Sequence, residues 1–250
     1  MGQFFCIELL LGKDKLQKLH NSSVTVIGIG AVGSYCVEAL ARAGVGALRL
    51  VDFDKVKASN LNRHLLALKS TIGRPKVELA RERVLAINPA CKVESLEVFA
   101  DDKTIDSILD NRPDIVIDAI DSLGPKSQVL KTCHMKNIPV ISSMGAATRV
   151  DPLAIRIADL RDTTHCPLAK RLRIKLKREN ITSGITCVYS AETRNLSAIG
   201  GENALGEDDY ARGRKRSKLG SLPTITGIFG LVIAHKAIET LCGGFKGKGN

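Results

Sequence analysis

The sequence predicts an α/β fold with a doubly wound, mostly parallel sheet, followed by a C-terminal extension that contains a mobile loop. Two observations carry that expectation. Short β-branched apolar runs alternate with stretches of helical periodicity through the first 145 residues. Gly28, Gly30 and Gly33 form G-x-G-x-x-G between one such run and a helix, and Asp52 closes the next run. This is the Rossmann-like arrangement in which a glycine turn feeds a helix N-terminus.

Each element has its own reason. Residues 9–19, "LLLGKDKLQKL", read as a short amphipathic helix around a glycine. Val24–Ile29 is a buried strand, Ser34–Gly44 a helix stopped by glycine, and Leu48–Val51 the second strand. Lys76–Ile87 has helical periodicity and ends at Asn88-Pro89. "KVESLEVF" alternates as a strand, and Ile105–Leu109 is a short helix ahead of Pro113. Asp114–Ser122 is an apolar strand ending in acids, Lys126–Lys136 is helical, and "IPVISS" is another strand. Beyond Gly145 the pattern loosens. "RVDPLAIRIADLRDT" has a strand-like centre, and "PLAKRLRIKLKR" fits a helix by its leucine spacing and a strand by its alternation. Residues 195–220, rich in glycine and charge, read as the mobile loop, and "TITGIFGLVIA" as a buried helix that meets His235 and Lys236 too soon to span a membrane. The expected organisation is one domain over 1–250: a nucleotide-binding core at 1–145 and a substrate-side extension at 146–250.

Composition narrows the class. The chain has 250 residues, 44% of them hydrophobic, with aromatics at 4% and no tryptophan, so its core is aliphatic. Seven cysteines form no C-x-x-C pair, which argues against a disulfide framework and a four-cysteine zinc site, and for reduced thiols in a cytoplasmic protein. The N-terminus shows no signal peptide, and Cys6 stands where a myristoylation signal has Ser or Thr. The net charge of +11 is uneven: residues 1–150 carry 20 Lys and Arg against 16 Asp and Glu, and residues 151–250 carry 17 against 10. A polyanionic partner and a merely solvated basic surface both fit that excess.

The glycine motif alone does not separate NAD from ATP. The following stretch does. "VDFDKVKASNLNRHLLALKSTIGRPK" sets Asp54, Asn60, Arg63 and Lys76 just beyond Asp52. Positive charge there suits a triphosphate cleaved at its α-phosphorus, because Arg grips phosphate oxygens in a fork and Lys supplies a compact charge. "DAIDS" then sets Asp118 and Asp121 at the carboxyl end of a later strand, where a carboxylate can hold magnesium. The competing readings are a surface salt bridge for Arg63 and a helix cap for Asp121.

Taken together, G-x-G-x-x-G, "LVDFD", "SNLNRH", "GRPK" and "DAIDS" resemble the superfamily of ubiquitin-activating-type (ThiF/MoeB-like) adenylating enzymes, from about Leu9 to Ser143. The resemblance implies that ATP is consumed with Mg2+, that Asp52 binds its ribose, that Asn60, Arg63 and Lys76 contact phosphates, and that Asp121 binds magnesium. It also implies a homodimer and leaves room for a sulfur-relay protein as partner. "GAATRVDPLAIRIADLRDTTHCPLAKRLRIKLK", "CVYSAE" and "GSLPTITGIFG" look like the branch that dehydrates threonylcarbamoyladenosine in tRNA. That branch implies adenylation of the threonylcarbamoyl carboxylate, then cyclisation with release of AMP and pyrophosphate. The alternative is activation of the C-terminus of a ubiquitin-like or sulfur-carrier protein. A scaffold without turnover and a hydride-transferring oxidoreductase fit the residues less well. Two departures stand out: Cys6 and Ile7 occupy the place of an N-terminal arginine, and Cys166 that of an acid before proline. Cys187 is either a nucleophile or a small buried strand residue; an intramolecular cyclisation needs no thioester, which favours the second. Arg171 and Arg173, with Arg214, Lys215 and Arg216 in the loop, are the expected tRNA phosphate contacts, since no stacking aromatics interleave them.

Overall fold

A computed structural model describes residues 2–199 and 219–245 of the chain. Seven strands form one sheet in the order β3-β2-β1-β4-β5-β7-β6. They are β1 (Ser23–Ile27), β2 (Ala47–Val51), β3 (Lys92–Leu96), β4 (Ile115–Asp118), β5 (Val140–Ser143), β6 (Ile155–Asp159) and β7 (Thr186–Ser190). All pairings are parallel except β6 with β7. The expected mostly parallel sheet is therefore present, and it runs without a break into the C-terminal extension.

Helices cover both faces. On one face α3 (Gly33–Arg42), α4 (Lys76–Ile87) and α8 (Pro223–Leu241) bury Val26, Leu50, Ile117 and Val188. On the other, α5 (Ile105–Ile108), α6 (Leu123–Met135) and α7 (Pro167–Lys177) bury Ile27, Val51, Val116 and Cys187. The central strands are apolar on both sides for this reason, as a sheet sandwiched between helices requires.

Several boundaries differ from the sequence expectation, each for a local reason. The N-terminal helix is two, α1 (Phe5–Leu11) and α2 (Lys13–Asn21), broken at Gly12, whose φ of 86° leaves the helical region. β1 stops at Ile27 because Gly28 turns the chain at φ 93°. β4 stops at Asp118, whose side chain accepts from the Ile120 N–H and bends the backbone. Residues 167–177 are helical, with Leu172 and Leu176 buried and Lys170, Arg171, Lys175 and Lys177 exposed. The expected mobile loop lies outside the described residues over 200–218; its flanks, Ile199 and Leu219, form a β-bridge.

α8 runs on through His235 and Lys236, so by length and composition it is apolar enough to cross a membrane. Its stripe of Ile225, Phe229, Ile233 and Ala237 is instead buried against the sheet and α3. The approach to α3 is close. A Cβ on Gly230 would lie 2.4 Å from the Val32 carbonyl oxygen and 2.8 Å from the Tyr35 Cβ.

Candidate active site

β1 and β4 are neighbours whose connections leave in opposite directions, one to each face. Ligands of open α/β sheets lie in the crevice that opens at such a switch, beyond the carboxyl ends of the strands. The glycine turn fills its floor. A Cβ on Gly28 would sit 2.9 Å from the Ala119 carbonyl carbon, and one on Gly33 would sit 1.9 Å from the Gly28 oxygen. Gly30 differs: a Cβ there would meet nothing within 4 Å. Gly28 and Gly33 thus let the turn close on β4 and α3, and Gly30 leaves backbone open to a ligand.

Asp52, at the end of β2, is buried and braces this turn. One of its carboxylate oxygens accepts from the Ile29 N–H at 2.7 Å and the other from the Asp54 N–H at 2.8 Å. Burial pushes its pKa up, opposed by the nearby Lys76 charge and the Asp54 N–H. Asp54 in turn accepts from Lys76 Nζ at 2.8 Å. Lys76 opens α4, is 7% exposed, and is fixed from its backbone too, donating its N–H to the Asp54 carbonyl at 3.0 Å. The irregular segment 52–75 between β2 and α4 is thereby closed at its base, and the predicted Asp52, Asp54 and Lys76 stand together.

Asn60 and Arg63 lie on that segment. The Asn60 side chain accepts from the Lys57 N–H at 3.1 Å, and its carbonyl accepts from the N–H groups of Arg63 and His64. Arg63 is half-buried and donates through Nη1 to the Ser59 carbonyl and the Asn62 side chain, both at 2.8 Å. It takes part in no ion pair among the described residues, which sets aside the surface salt bridge as its role. His64 follows it and is 5% exposed.

Across the crevice, the two acids of "DAIDS" part company. Asp118 is fully buried, paired with Lys126 Nζ at 2.6 Å, and accepts from Ser142 Oγ at 2.6 Å. Lys126 also donates to Ser142 Oγ at 3.1 Å. This closed network locks β4, β5 and α6 together directly under the loop that carries Asp121. Asp121 is exposed at the rim. It stands directly ahead of α6, whose N-cap residue is Ser122.

The extension builds the far side of the same edge. Thr148, at φ 64°, donates its N–H to the Gly220 carbonyl and accepts from the Asn195 N–H. Arg149 is buried, and donates to the carbonyls of Glu192 and His165. Its Nε finds no partner among the described residues, and burial pushes the guanidinium pKa down. Cys166 caps α7: its Sγ accepts from the Ala169 N–H at 3.5 Å, the task an acid would do at that position. Cys187 is fully buried on β7 and its thiol pKa is driven up by burial, which suits the small buried strand residue and not a nucleophile. Of the expected tRNA contacts, Arg171 is exposed on α7. Arg173 instead turns inward onto the Leu160 and Thr163 carbonyls and the Thr163 hydroxyl. Arg214, Lys215 and Arg216 lie outside the described residues.

Sequence reasoning passed over His64, Lys126 and Ser142. The signal for His64 was its place directly after Arg63 in "SNLNRH"; Lys126 looked like one more polar helix residue. Chemically, the crevice offers open glycine backbone, a held lysine, an arginine on a turn and a rim carboxylate. That set can bind a polyphosphate and offset charge on it. Among the described residues no group of three or more His, Cys, Asp or Glu side chains is placed to hold a metal ion by itself. A single carboxylate such as Asp121 fits a magnesium ion whose other ligands are phosphate oxygens and water.

Known proteins are similar to this chain in sequence and fold. The ThiF family model matches residues 6–249. The tRNA threonylcarbamoyladenosine dehydratase of Bacillus subtilis is 39% identical over 241 residues, covering 96% of this chain and 95% of that protein. The corresponding Escherichia coli enzyme is 34% identical over 243 residues, covering 93% and 90%. The Escherichia coli molybdopterin-synthase adenylyltransferase is 32% identical over 186 residues, covering 74% and 71%. Among solved structures, Escherichia coli tRNA N6-threonylcarbamoyladenosine dehydratase in complex with ATP superposes with a TM-score of 0.85 at 31% identity, covering 96% of this chain and 94% of that one. Its AMP complex gives 0.84 at 32% identity.

Proposed function

The chain belongs to the ThiF family, and from that premise we infer that it is an ATP-dependent enzyme that dehydrates threonylcarbamoyladenosine in tRNA. The observation that carries this is full-length similarity to a dehydratase of that name, 39% identical across 96% of this chain. The ATP and AMP complexes of the Escherichia coli structure support the adenylating step.

In the reaction, the threonylcarbamoyl carboxylate attacks the α-phosphorus of ATP and pyrophosphate leaves. An internal nucleophile of the same side chain then attacks the acyl adenylate, loses its proton and expels AMP, so the nucleoside loses one water. Arg63 and Lys76 offset charge on the phosphates as the P–O bond breaks, and Asn60 adds an amide donor to them. The exposed backbone at Gly30 and the first turn of α3 cradle the phosphates, with Gly28 and Gly33 holding that turn closed. Asp52 spends one lone pair of each oxygen on backbone, and the remaining pairs can accept the ribose hydroxyls. Asp121, with the phosphates, would hold a magnesium ion that adds positive charge at the reacting phosphorus. No covalent enzyme intermediate is required, in keeping with the buried Cys187.

Exposed Arg171, with Lys170, Lys175, Lys177 and Arg178 on the same helix and just past it, forms a phosphate-binding face for tRNA. The loop bases Arg214, Lys215 and Arg216 are proposed to extend it. A homodimer is supported by α1, which buries no residue and leaves Leu9 71% and Leu10 82% exposed. A cytoplasmic site of action is supported by seven cysteines that are all free thiols. A sulfur-relay protein stays a proposed partner on family grounds alone. The second reading, activation of a sulfur-carrier protein, draws on the molybdopterin-synthase adenylyltransferase similarity, which covers 74% of the chain.

The deciding experiment incubates the protein with ATP, magnesium and tRNA bearing threonylcarbamoyladenosine. Loss of one water from the modified nucleoside, with AMP and pyrophosphate in equal amounts, is the expected result. An unchanged nucleoside, or ADP as product, would refute it.

A further inference from the structure

Arg63 stands on a short irregular turn, and its own hydrogen bonds stay inside that turn, to Ser59 and Asn62. A guanidinium that must meet a phosphate over the glycine loop needs its turn held against that loop. We propose that His64 is the residue that does this: its imidazole latches the Arg63 turn onto the glycine loop and so sets where Arg63 acts. The proposal rests on the adenylating reading above.

The hydrogen bonds define the latch and its tautomer. The Leu66 N–H lies 3.0 Å from His64 Nδ1, and a backbone N–H can only donate. Nδ1 is therefore the acceptor, and the ring proton sits on Nε2. That proton is donated to the Ile29 carbonyl at 2.6 Å. Ile29 is the residue between Gly28 and Gly30, and its own N–H is already held by Asp52 at 2.7 Å. One residue of the glycine loop is thus clamped through both its N–H and its carbonyl, by Asp52 from β2 and by His64 from the Arg63 turn. A second tie lies beside the first: the Leu65 N–H donates to Ser34 Oγ, in the first turn of α3, at 3.3 Å. Adjacent residues of the turn therefore grip both sides of the phosphate-facing corner.

His64 is not itself a catalytic residue. It is 5% exposed and both ring nitrogens are spent on backbone groups, so it has neither access to substrate nor a free site for a proton. Its effect passes through Arg63. A glutamine side chain carries an NH2 group that can donate and a carbonyl oxygen that can accept, and can reproduce the pattern; leucine fills similar space with neither.

The test compares His64→Gln, His64→Leu and Ser34→Ala with the unaltered protein. Three quantities are measured: kcat for AMP release with ATP and threonylcarbamoyladenosine-bearing tRNA, the Kd for ATP by calorimetry, and hydrogen exchange of the Leu66 amide by NMR. Misplacing a transition-state group should lower kcat while leaving ground-state affinity largely intact. His64→Leu should lose roughly 10²-fold in kcat, the scale of a 1 Å misplacement, with ATP Kd moving less than about threefold. His64→Gln should restore most of the lost rate. Leu66 exchange should speed up in the leucine variant and not in the glutamine variant. Wild-type kcat in His64→Leu, or equal losses in the Gln and Leu variants, would overturn the latch. Should His64→Leu fail to fold, Ser34→Ala decides: a lowered kcat at unchanged ATP Kd supports the proposal and an unchanged kcat refutes it. If the unaltered protein forms no AMP at all, the proposed reaction fails, while Leu66 exchange still judges the latch.

Discussion

Lys126 can be removed with Met, which keeps most of its volume and deletes its charge. The consequence follows from where Asp118 sits. Its side chain and that of Lys126 are both 0% exposed, and the pair is 2.6 Å apart. After the change Asp118 keeps only the Ser142 hydroxyl and the Ile120 N–H. Breaking one partner out of a buried pair costs about 3–5 kcal/mol, because the remaining charge has no compensation. For a chain of this length each kcal/mol shifts the melting temperature by roughly 2–4 °C, so the expected fall is on the order of 6–20 °C. Adding Asp118→Asn to Lys126→Met removes the stranded charge and should recover a large part of the loss. Urea unfolding of the four proteins of this cycle is the assay. Strictly additive losses would show that the two groups are not the coupled pair described.

Other outcomes follow from the same geometry. Arg63→Ala and Lys76→Ala should each lower AMP release by roughly 10²-fold or more, as for other charge stabilisers of a transition state; near-normal rates in both would remove them from the phosphate site. Cys187→Ala should retain most activity in a steady-state assay, and a folded but inactive variant would revive a thioester. Gly230→Ala should destabilise by about 1–3 kcal/mol, because its new methyl would meet the Val32 carbonyl of the neighbouring helix; an unchanged melting curve would contradict that packing. Reversing the charge at Arg171 should weaken tRNA binding and flatten its dependence on salt without altering ATP affinity, and superimposable salt slopes would exclude it as a phosphate contact.

Much of the fold could be read from local pattern. Lys76–Ile87 was placed to the residue because a proline before it and Asn88-Pro89 after it leave the helix no other extent. Strand ends were less legible. β4 reads as apolar through Ile120, and only the Asp118 side chain, bound to the Ile120 N–H, shows why the strand stops short. Residues 167–177 fit both periodicities; burial of Leu172 and Leu176 decides for a helix, and that is a tertiary fact. The residues proposed for the phosphate site were recognisable as a set because their types are rare in that order. Their supports were not. The Ile29–His64 bond spans 35 positions and the Lys126–Ser142 bond spans 16, and no local spacing announces either. Arg173 shows the converse: a base in a basic cluster that spends its guanidinium on Leu160 and Thr163 looks, in sequence, the same as its exposed neighbour Arg171.

The packing of α8 on α3 bears on how the protein is made. α3 begins at Gly33, at the mouth of the nucleotide crevice, yet the helix it lies against comes from residues 223–241, near the end of the chain. A nascent chain that has exposed the glycine turn, the arginine turn and even Asp121 still lacks the surface that seats α3. The side of α3 that faces α8 is then left to solvent, with Val32 and Tyr35 uncovered. Synthesis therefore has a long interval in which the N-terminal sequence is complete and its binding site is not. At elongation rates of roughly 5–20 residues per second that interval lasts on the order of ten seconds or more. Truncated chains from interrupted translation should accordingly be poor ATP binders and natural clients of chaperones or proteases. Ribosome-bound chains arrested before Leu222 are the place to look, by protection of the glycine turn from proteolysis when ATP is added: protection equal to that of the full chain would mean that α3 seats without α8.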